Sequence, residues 1–359
     1  RNGTPIKLLI GGSPCTKWSI AQKNGREVLP EGIGWELFEN YRIAKERFQP
    51  DFFLYENNKS AAQPIKDAIY SALGGGKDSS VRLTHIDSAL VSAQHRQRFY
   101  VTNFGDIEQP EDREILLRDV LESGEDLSCR EKAYTLTASY GGAVARNTLD
   151  RNQRTMVAEP VRIGTIESNA KNKSHDSKQY RVYSPDGKST TLCGEGGGVG
   201  AKTGLYAVPT NKIDGKPIYT VKDGLITVKD KQYPVKLRDD YYIIRKLTPT
   251  ECERLQTMPD GYTAAVSNSQ RYKALGNGWT AEVIIHILNH AFQDVPRDEE
   301  LVVLSMYDGI ATGRYCLDKM GFTNVKYYAY EIDPYAQKIA MLNYPDIVQC
   351  GDAFQIRNF

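Results

Sequence analysis

Over its first 105 residues the chain alternates short apolar runs with longer stretches in which apolar positions recur at helical spacing. Residues 6–10 form a compact apolar run, and a loop leads to a helix predicted over about 34–48, which Pro50 stops. A strand is predicted at 52–55, then a helix over roughly 61–73, broken by Gly74-Gly75-Gly76. Residues 81–89 and 98–103 read as further strands. The middle third changes character: it is rich in Gly, Asn, Lys, Ser and Thr, with short β-prone pieces such as Tyr180-Arg181-Val182-Tyr183 and Gly224-Leu225-Ile226-Thr227-Val228. From Leu247 helical patterning resumes. Thr248-Pro249-Thr250-Glu251 opens a helix with Pro at its first position, running to Gln256, and residues 280–292 form a strongly apolar helix. A buried strand at 301–307 then enters Asp308-Gly309-Ile310-Ala311-Thr312-Gly313, followed by a helix to Met320 and a strand at 327–330. Strands alternating with helices at both ends of the chain predict an α/β fold with a mostly parallel sheet, interrupted by a β-rich, loop-heavy insertion.

At 359 residues there is room for two domains. The division expected is 1–128, 129–246 and 247–359, the outer two parts forming one domain. No run of 18 apolar residues exists, so no membrane-spanning helix is expected, and the first residues lack an apolar signal core. Six scattered cysteines contain no Cys-x-x-Cys pair and form no ligand spacing with the five histidines, so no metal site or disulfide framework is expected. The net charge of +1 conceals an asymmetry: residues 129–246 carry 21 Lys and Arg against 12 Asp and Glu. A basic insertion in an acidic body points to a polyanionic partner.

The candidate chemistry lies at strand ends. Pro14-Cys15 follows the first strand and Glu56-Asn57 ends the second, placing a thiol and an acid where together they could attack and protonate an electron-poor ring. Taken singly, they would equally suit a buried structural thiol and an exposed acid. The strand–turn–helix at 301–320 suits close approach to a nucleotide-like ligand, and Glu331, about 20 residues on, suits a ribose. Gly309 and Gly313 alone do not make a G-x-G-x-x-G fingerprint.

Taken together, these elements resemble the cytosine-5 DNA methyltransferases. The matches are Pro14-Cys15, Glu56-Asn57, Gln94-His95-Arg96-Gln97-Arg98, the run from Arg245 to Gln256 with Met258-Pro259-Asp260, Leu275-Gly276-Asn277, Tyr307 to Gly313, Glu331-Ile332 and Gly351-Asp352. The resemblance covers residues 5–105 and 245–359. It implies a Rossmann-like, S-adenosyl-L-methionine-dependent methyltransferase fold with a small β-rich target recognition domain at 129–246. It further implies that Cys15 attacks carbon 6 of a flipped cytosine, that Glu56 engages the ring's N3 and amine, and that Arg98 with Arg96 stabilises base and backbone. The cofactor would be held by Tyr307, Asp308, Gly309, Ile310, Thr312, Glu331, Ile332, Asp352, Pro14 and Asn277. Lys17, Ser19, Lys23 and Arg26 would contact double-stranded DNA. The resemblance implies a monomeric, cytoplasmic protein, bacterial or phage-encoded, acting on the nucleoid.

Family order is reversed here: the cofactor turn comes last, so the chain reads as a circular permutant. Tyr307 stands where Phe is usual, Ala311-Thr312 where bacterial members carry glycines, Asn58 where Val is usual, and Gly278-Trp279 where Ser or Ala follows the Asn. A tRNA cytosine-5 methyltransferase of the same lineage is the alternative. A phosphate-binding loop at Gly196-Gly197-Gly198-Val199-Gly200-Ala201-Lys202-Thr203 is disfavoured, because Ala201 occupies the position that requires Gly.

Overall fold

A computed structural model describes residues 4–14, 17–19, 25–128, 130–160, 164–165, 181–183, 205–206, 212–213 and 216–358. The chain forms two compact units, residues 1–116, 135–141 and 249–359 in one and 117–134 and 142–248 in the other. Residues 135–141 fall within the range assigned above to the insertion, yet belong to the first unit. Their backbone is gripped there, the Leu136 N–H donating to Gln94 Oε1 and its carbonyl accepting from Arg96 Nη1.

The first unit is built on a seven-stranded sheet of β1 (Ile6–Gly11), β2 (Phe52–Asn58), β3 (Arg82–Asp87), β4 (Gln97–Thr102), β5 (Leu301–Met306), β6 (Val325–Tyr330) and β7 (Val348–Gly351). Across the sheet the order is β7-β6-β5-β1-β2-β4-β3. The pairs from β7 to β2 are parallel, while β4 runs antiparallel to both β2 and β3. Leu8, Leu9 and Ile10 are fully buried, as a central parallel strand covered on both faces requires.

Alternation along β2 shows the two layers. Phe53 and Tyr55 point into a core with Phe38, Tyr41 and Ala44 of α1 (Gly32–Phe48) and Ile65 and Ile69 of α2 (Gln63–Ala72). Phe52 points the other way and meets the Phe292 ring edge-on at 5.4 Å. The remaining helices are α3 (Pro249–Leu255), α4 (Asn268–Asn277), α5 (Ala281–Ala291), α6 (Thr312–Lys319) and α7 (Pro334–Asn343). The Asp333 side chain caps α7 by accepting from the Tyr335 and Ala336 amides, and Pro334 sits at its start.

The second unit carries an antiparallel sheet in the order 231–234, 225–228, 216–222, 240–246, 156–160 and 125–126. Its hairpins turn at Asp223-Gly224 and Lys229-Asp230, two-residue loops with positive φ at both positions, the geometry whose twist suits antiparallel strands. Among the described residues no helix is long and apolar enough to cross a membrane.

Candidate active site

At the carboxyl ends of β1, β2, β5 and β6 lies a cavity of about 370 Å³, wholly within the first unit. Parallel sheets place ligands at these ends because the strands hand over to loops there. The loop after β1 is entered through two glycines that leave no room for a side chain unless the backbone shifts. A Cβ on Gly11 would stand 2.3 Å from the Met306 carbonyl oxygen, and one on Gly12 would stand 2.5 Å from the Glu56 carbonyl oxygen. Ser13 and Pro14 follow. The Asn57 amide donates to the Ser13 carbonyl at 3.0 Å and to the Tyr55 hydroxyl at 3.1 Å, and the Ser13 and Tyr55 hydroxyls bond at 2.7 Å. Burial pushes the Tyr55 hydroxyl pKa up, so this pin stays neutral. Asn57 of the Glu-Asn pair therefore fixes the loop, while Glu56 faces the cavity. Cys15 lies outside the described residues, as do Lys23 and Gly196–Thr203.

Sheet register brings Glu56 its partner. Glu56 pairs with Tyr100 on β4, so Arg98, two residues away, is its diagonal neighbour on the same face. Arg98 Nε lies 2.9 Å from Glu56 Oε1, and the Trp279 indole N–H donates to Oε2 at 3.1 Å. Both carboxylate oxygens are held. Arg96 is used differently from Arg98. Its guanidinium donates to the carbonyls of Leu136, Gly276 and Gly278 at 2.9, 3.2 and 2.7 Å, so it ties backbone together at the cavity wall.

Opposite this acid, β5 runs into a turn with positive φ at Tyr307, Gly309 and Ala311. Such strained backbone persists only where its surroundings enforce it. The Gly309 amide donates to Glu331 Oε2 at 2.8 Å, and the amides of Ile332 and Asp333 donate to Oε1. Glu331 is thus fixed at the end of β6, with Ile332 exposed beside it. A Cβ on Gly309 would meet nothing within 4 Å, so the glycine faces open space. Gly313 serves packing instead, since a Cβ there would stand 2.3 Å from Ile10 Cδ1. The Tyr307 hydroxyl donates to the Leu37 carbonyl and accepts from Asn40 Nδ2, tying the turn to α1, and burial pushes it up to about 12. Asp308 is pushed up to about 6, first by burial, with Glu331 adding to the rise. Ile310 and Thr312 are buried, Asn277 ends α4 at the rim, and the Asp352 carboxylate accepts from the Phe354 amide. All of these residues line the cavity along with Pro14.

The proposed backbone-binding residues are less uniform. Arg26 donates to the carbonyls of Trp18 and Ser60 at 3.2 and 2.6 Å, so its guanidinium serves the loop's own fold. Ser19 Oγ accepts from Asn58 at 3.5 Å, and the Lys17 carbonyl accepts from the Glu27 amide. Trp279 has a single signal in the sequence, an aromatic residue directly after Gly276-Asn277-Gly278. Among the described residues no cluster of His, Cys, Asp and Glu is placed to hold a metal ion.

The family model of the C-5 cytosine-specific DNA methylases matches residues 2–293. An orphan methyltransferase, M.SPBetaI of Bacillus phage SPbeta, is 33% identical over 192 residues, covering 47% of this chain but only 40% of the relative. The type II methyltransferase M.HhaI of Haemophilus parahaemolyticus is 25% identical over 304 residues, covering 79% of this chain and 73% of that protein. M.HpaII of Haemophilus parainfluenzae, also type II, is 24% identical over 288 residues, 75% and 67% of the two chains.

Proposed function

The chain belongs to the C-5 cytosine-specific DNA methylase family, and on that premise we propose that it transfers a methyl group to carbon 5 of cytosine in double-stranded DNA. One observation carries the reading: Glu56, held between Arg98 and Trp279, lines the same cavity as the Gly309 turn and Glu331. The residues fit S-adenosyl-L-methionine. Glu331 offers a fixed acceptor for ribose hydroxyls, Ile332 an apolar surface for adenine, Asp352 an acceptor for its amine, and the open space at Gly309 admits a ligand. When bound, this cofactor supplies an electrophilic methyl on a sulfonium.

The chain's own residues do the rest. Cys15 adds its thiolate sulfur to carbon 6 of a base flipped out of the helix, and the carboxylic acid form of Glu56 donates its proton, or a hydrogen bond, to N3, where the negative charge develops. Carbon 5 then carries the electron pair that accepts the methyl. Loss of the carbon 5 proton expels the thiolate and restores the ring. Arg98 keeps Glu56 aimed throughout, and Asn57 keeps the loop before Cys15 in place.

Residues 117–134 and 142–248 act in this reading as the target recognition domain, their basic excess favouring the DNA backbone. The protein works as a monomer on nucleoid DNA. The chain is a circular permutant of the family order. What supports this is that β5, late in sequence, lies beside β1 at the sheet centre, and that the family match ends at residue 293, before β5 begins.

The test is transfer of labelled methyl from S-adenosylmethionine to duplex DNA and, in parallel, to tRNA, comparing the parent with Cys15→Ser. Labelled cytosines in DNA from the parent alone uphold the proposal. Label confined to tRNA, or persisting in Cys15→Ser, overturns it.

A further inference from the structure

Resting on the proposed function, we propose that Trp279 is a positioning residue for Glu56, and that the Gln94–Arg98 segment aims this acid from two sides. One side is direct: Arg98 Nε holds Oε1 at 2.9 Å. The other runs through the turn between α4 and α5, where the Trp279 indole N–H holds Oε2 at 3.1 Å. A carboxylate held by one donor swings about its last torsion, whereas donors on both oxygens fix its plane.

The turn carrying Trp279 is itself fixed. Arg96 donates to the Gly276 and Gly278 carbonyls, three residues and one residue before the tryptophan. Gln94 donates to Gln256 Oε1, Gln256 donates to the Leu275 carbonyl, and the Thr280 hydroxyl donates to Gln256 Oε1 on the far side. Gln94, Arg96, Gln256 and Thr280 are all buried. Alternate residues of one segment therefore converge on one acid: Arg98 by touching it, Gln94 and Arg96 by holding the turn from which the indole reaches it. Buried polar groups so fully satisfied are rigid, which is what an acid that must meet a flipped base needs.

The perturbation is Trp279→Phe, which removes the N–H and keeps the ring. Single-turnover methyl transfer should slow by about tenfold to a hundredfold, the worth of a hydrogen bond to a charged group. Cofactor affinity, read by titration calorimetry, should stay unchanged. In a Glu56→Gln background the same substitution should add nothing further. Indole NMR reports the contact independently of turnover: the ¹⁵N-labelled protein has three tryptophans, and Glu56→Gln should move only the Trp279 resonance, with Trp18, bonded to Glu27, as internal reference. An unmoved Trp279 resonance, losses that multiply in the double variant, or weakened cofactor binding with an unchanged rate would each overturn the proposal. If the parent methylates no DNA, the proposed function fails, and the resonance still decides the contact.

Discussion

Asp308 makes the stability of the first unit depend on pH in a direction opposite to most carboxylates. Its Oδ1 accepts from the Ser305 and Tyr327 hydroxyls at 2.7 and 2.6 Å, while its Oδ2 is sealed from solvent without a partner. Burial lifts the carboxyl from 3.8 to about 6. A rise of about two units corresponds to about 3 kcal/mol. Because the folded-state value lies above the unfolded one, the folded protein holds this proton more tightly. The contribution is complete below about pH 4 and is lost as pH rises through about 6. Asp87, Asp333 and Glu282 are held low and act oppositely, losing stability as pH falls. The informative quantity is therefore the difference between parent and Asp308→Asn. The amide keeps an acceptor for both hydroxyls but buries an unpaired donor, a cost of about 1–3 kcal/mol at every pH. Urea unfolding followed by fluorescence from pH 4 to pH 8 should show the parent's advantage shrinking by about 3 kcal/mol across that range. Parallel curves would refute the reasoning.

Gly276→Ala would place a Cβ 2.2 Å from the Thr137 carbonyl carbon, backbone against backbone. It should cost about 3 kcal/mol or more and lower the urea midpoint accordingly. Asn57→Ala removes the donor to Ser13 and Tyr55, and should destabilise by about 1–3 kcal/mol. Methyl transfer should slow while calorimetry finds cofactor affinity retained; weakened affinity instead would mean that Asn57 shapes the cofactor pocket. Gly309→Ala puts a side chain at a φ of 66° and into the open space of the cavity. It should cost only about 1 kcal/mol of stability, yet weaken S-adenosylmethionine binding by about tenfold or more in the same titration.

Much of the sheet was legible because its strands are dense apolar runs bounded by Gly and Pro. The strands predicted at 52–55 and 301–307 are β2 and β5, with ends shifted by one to three residues. In the first unit, two helices carry too weak a pattern to be read. α4 is largely polar, so only its Leu275-Gly276-Asn277 end stands out, while α7 carries only the signal of Asp333-Pro334, a cap followed by Pro. The Glu56–Arg98 pairing follows from the antiparallel register of β2 with β4, strands separated in sequence by α2 and β3; only the resemblance pointed to that pair. The roles of Arg96 and Trp279 could not be read in that way, because their partners lie 40 to 223 positions away and are brought near by the sheet's strand order. Arg96 lines the cavity and also donates to three carbonyls, as a buried guanidinium that must find acceptors requires.

The central pairing of β1 with β5 also dictates when this protein can fold. Every residue of β1 from Ile6 to Gly11 has its partner between Leu301 and Met306. A ribosome adding about 5–20 residues per second needs roughly 15–60 s to travel between those two strands. During that interval the β1 edge that will meet β5, apolar except at Lys7, stays open to the cell. The unpartnered strand invites pairing with other chains and a need for chaperones, and the high sequence separation of the closing contact makes folding slow even when synthesis is complete. Expression at low temperature or with a holdase should therefore raise the yield of folded protein more than any single stabilising substitution in the site.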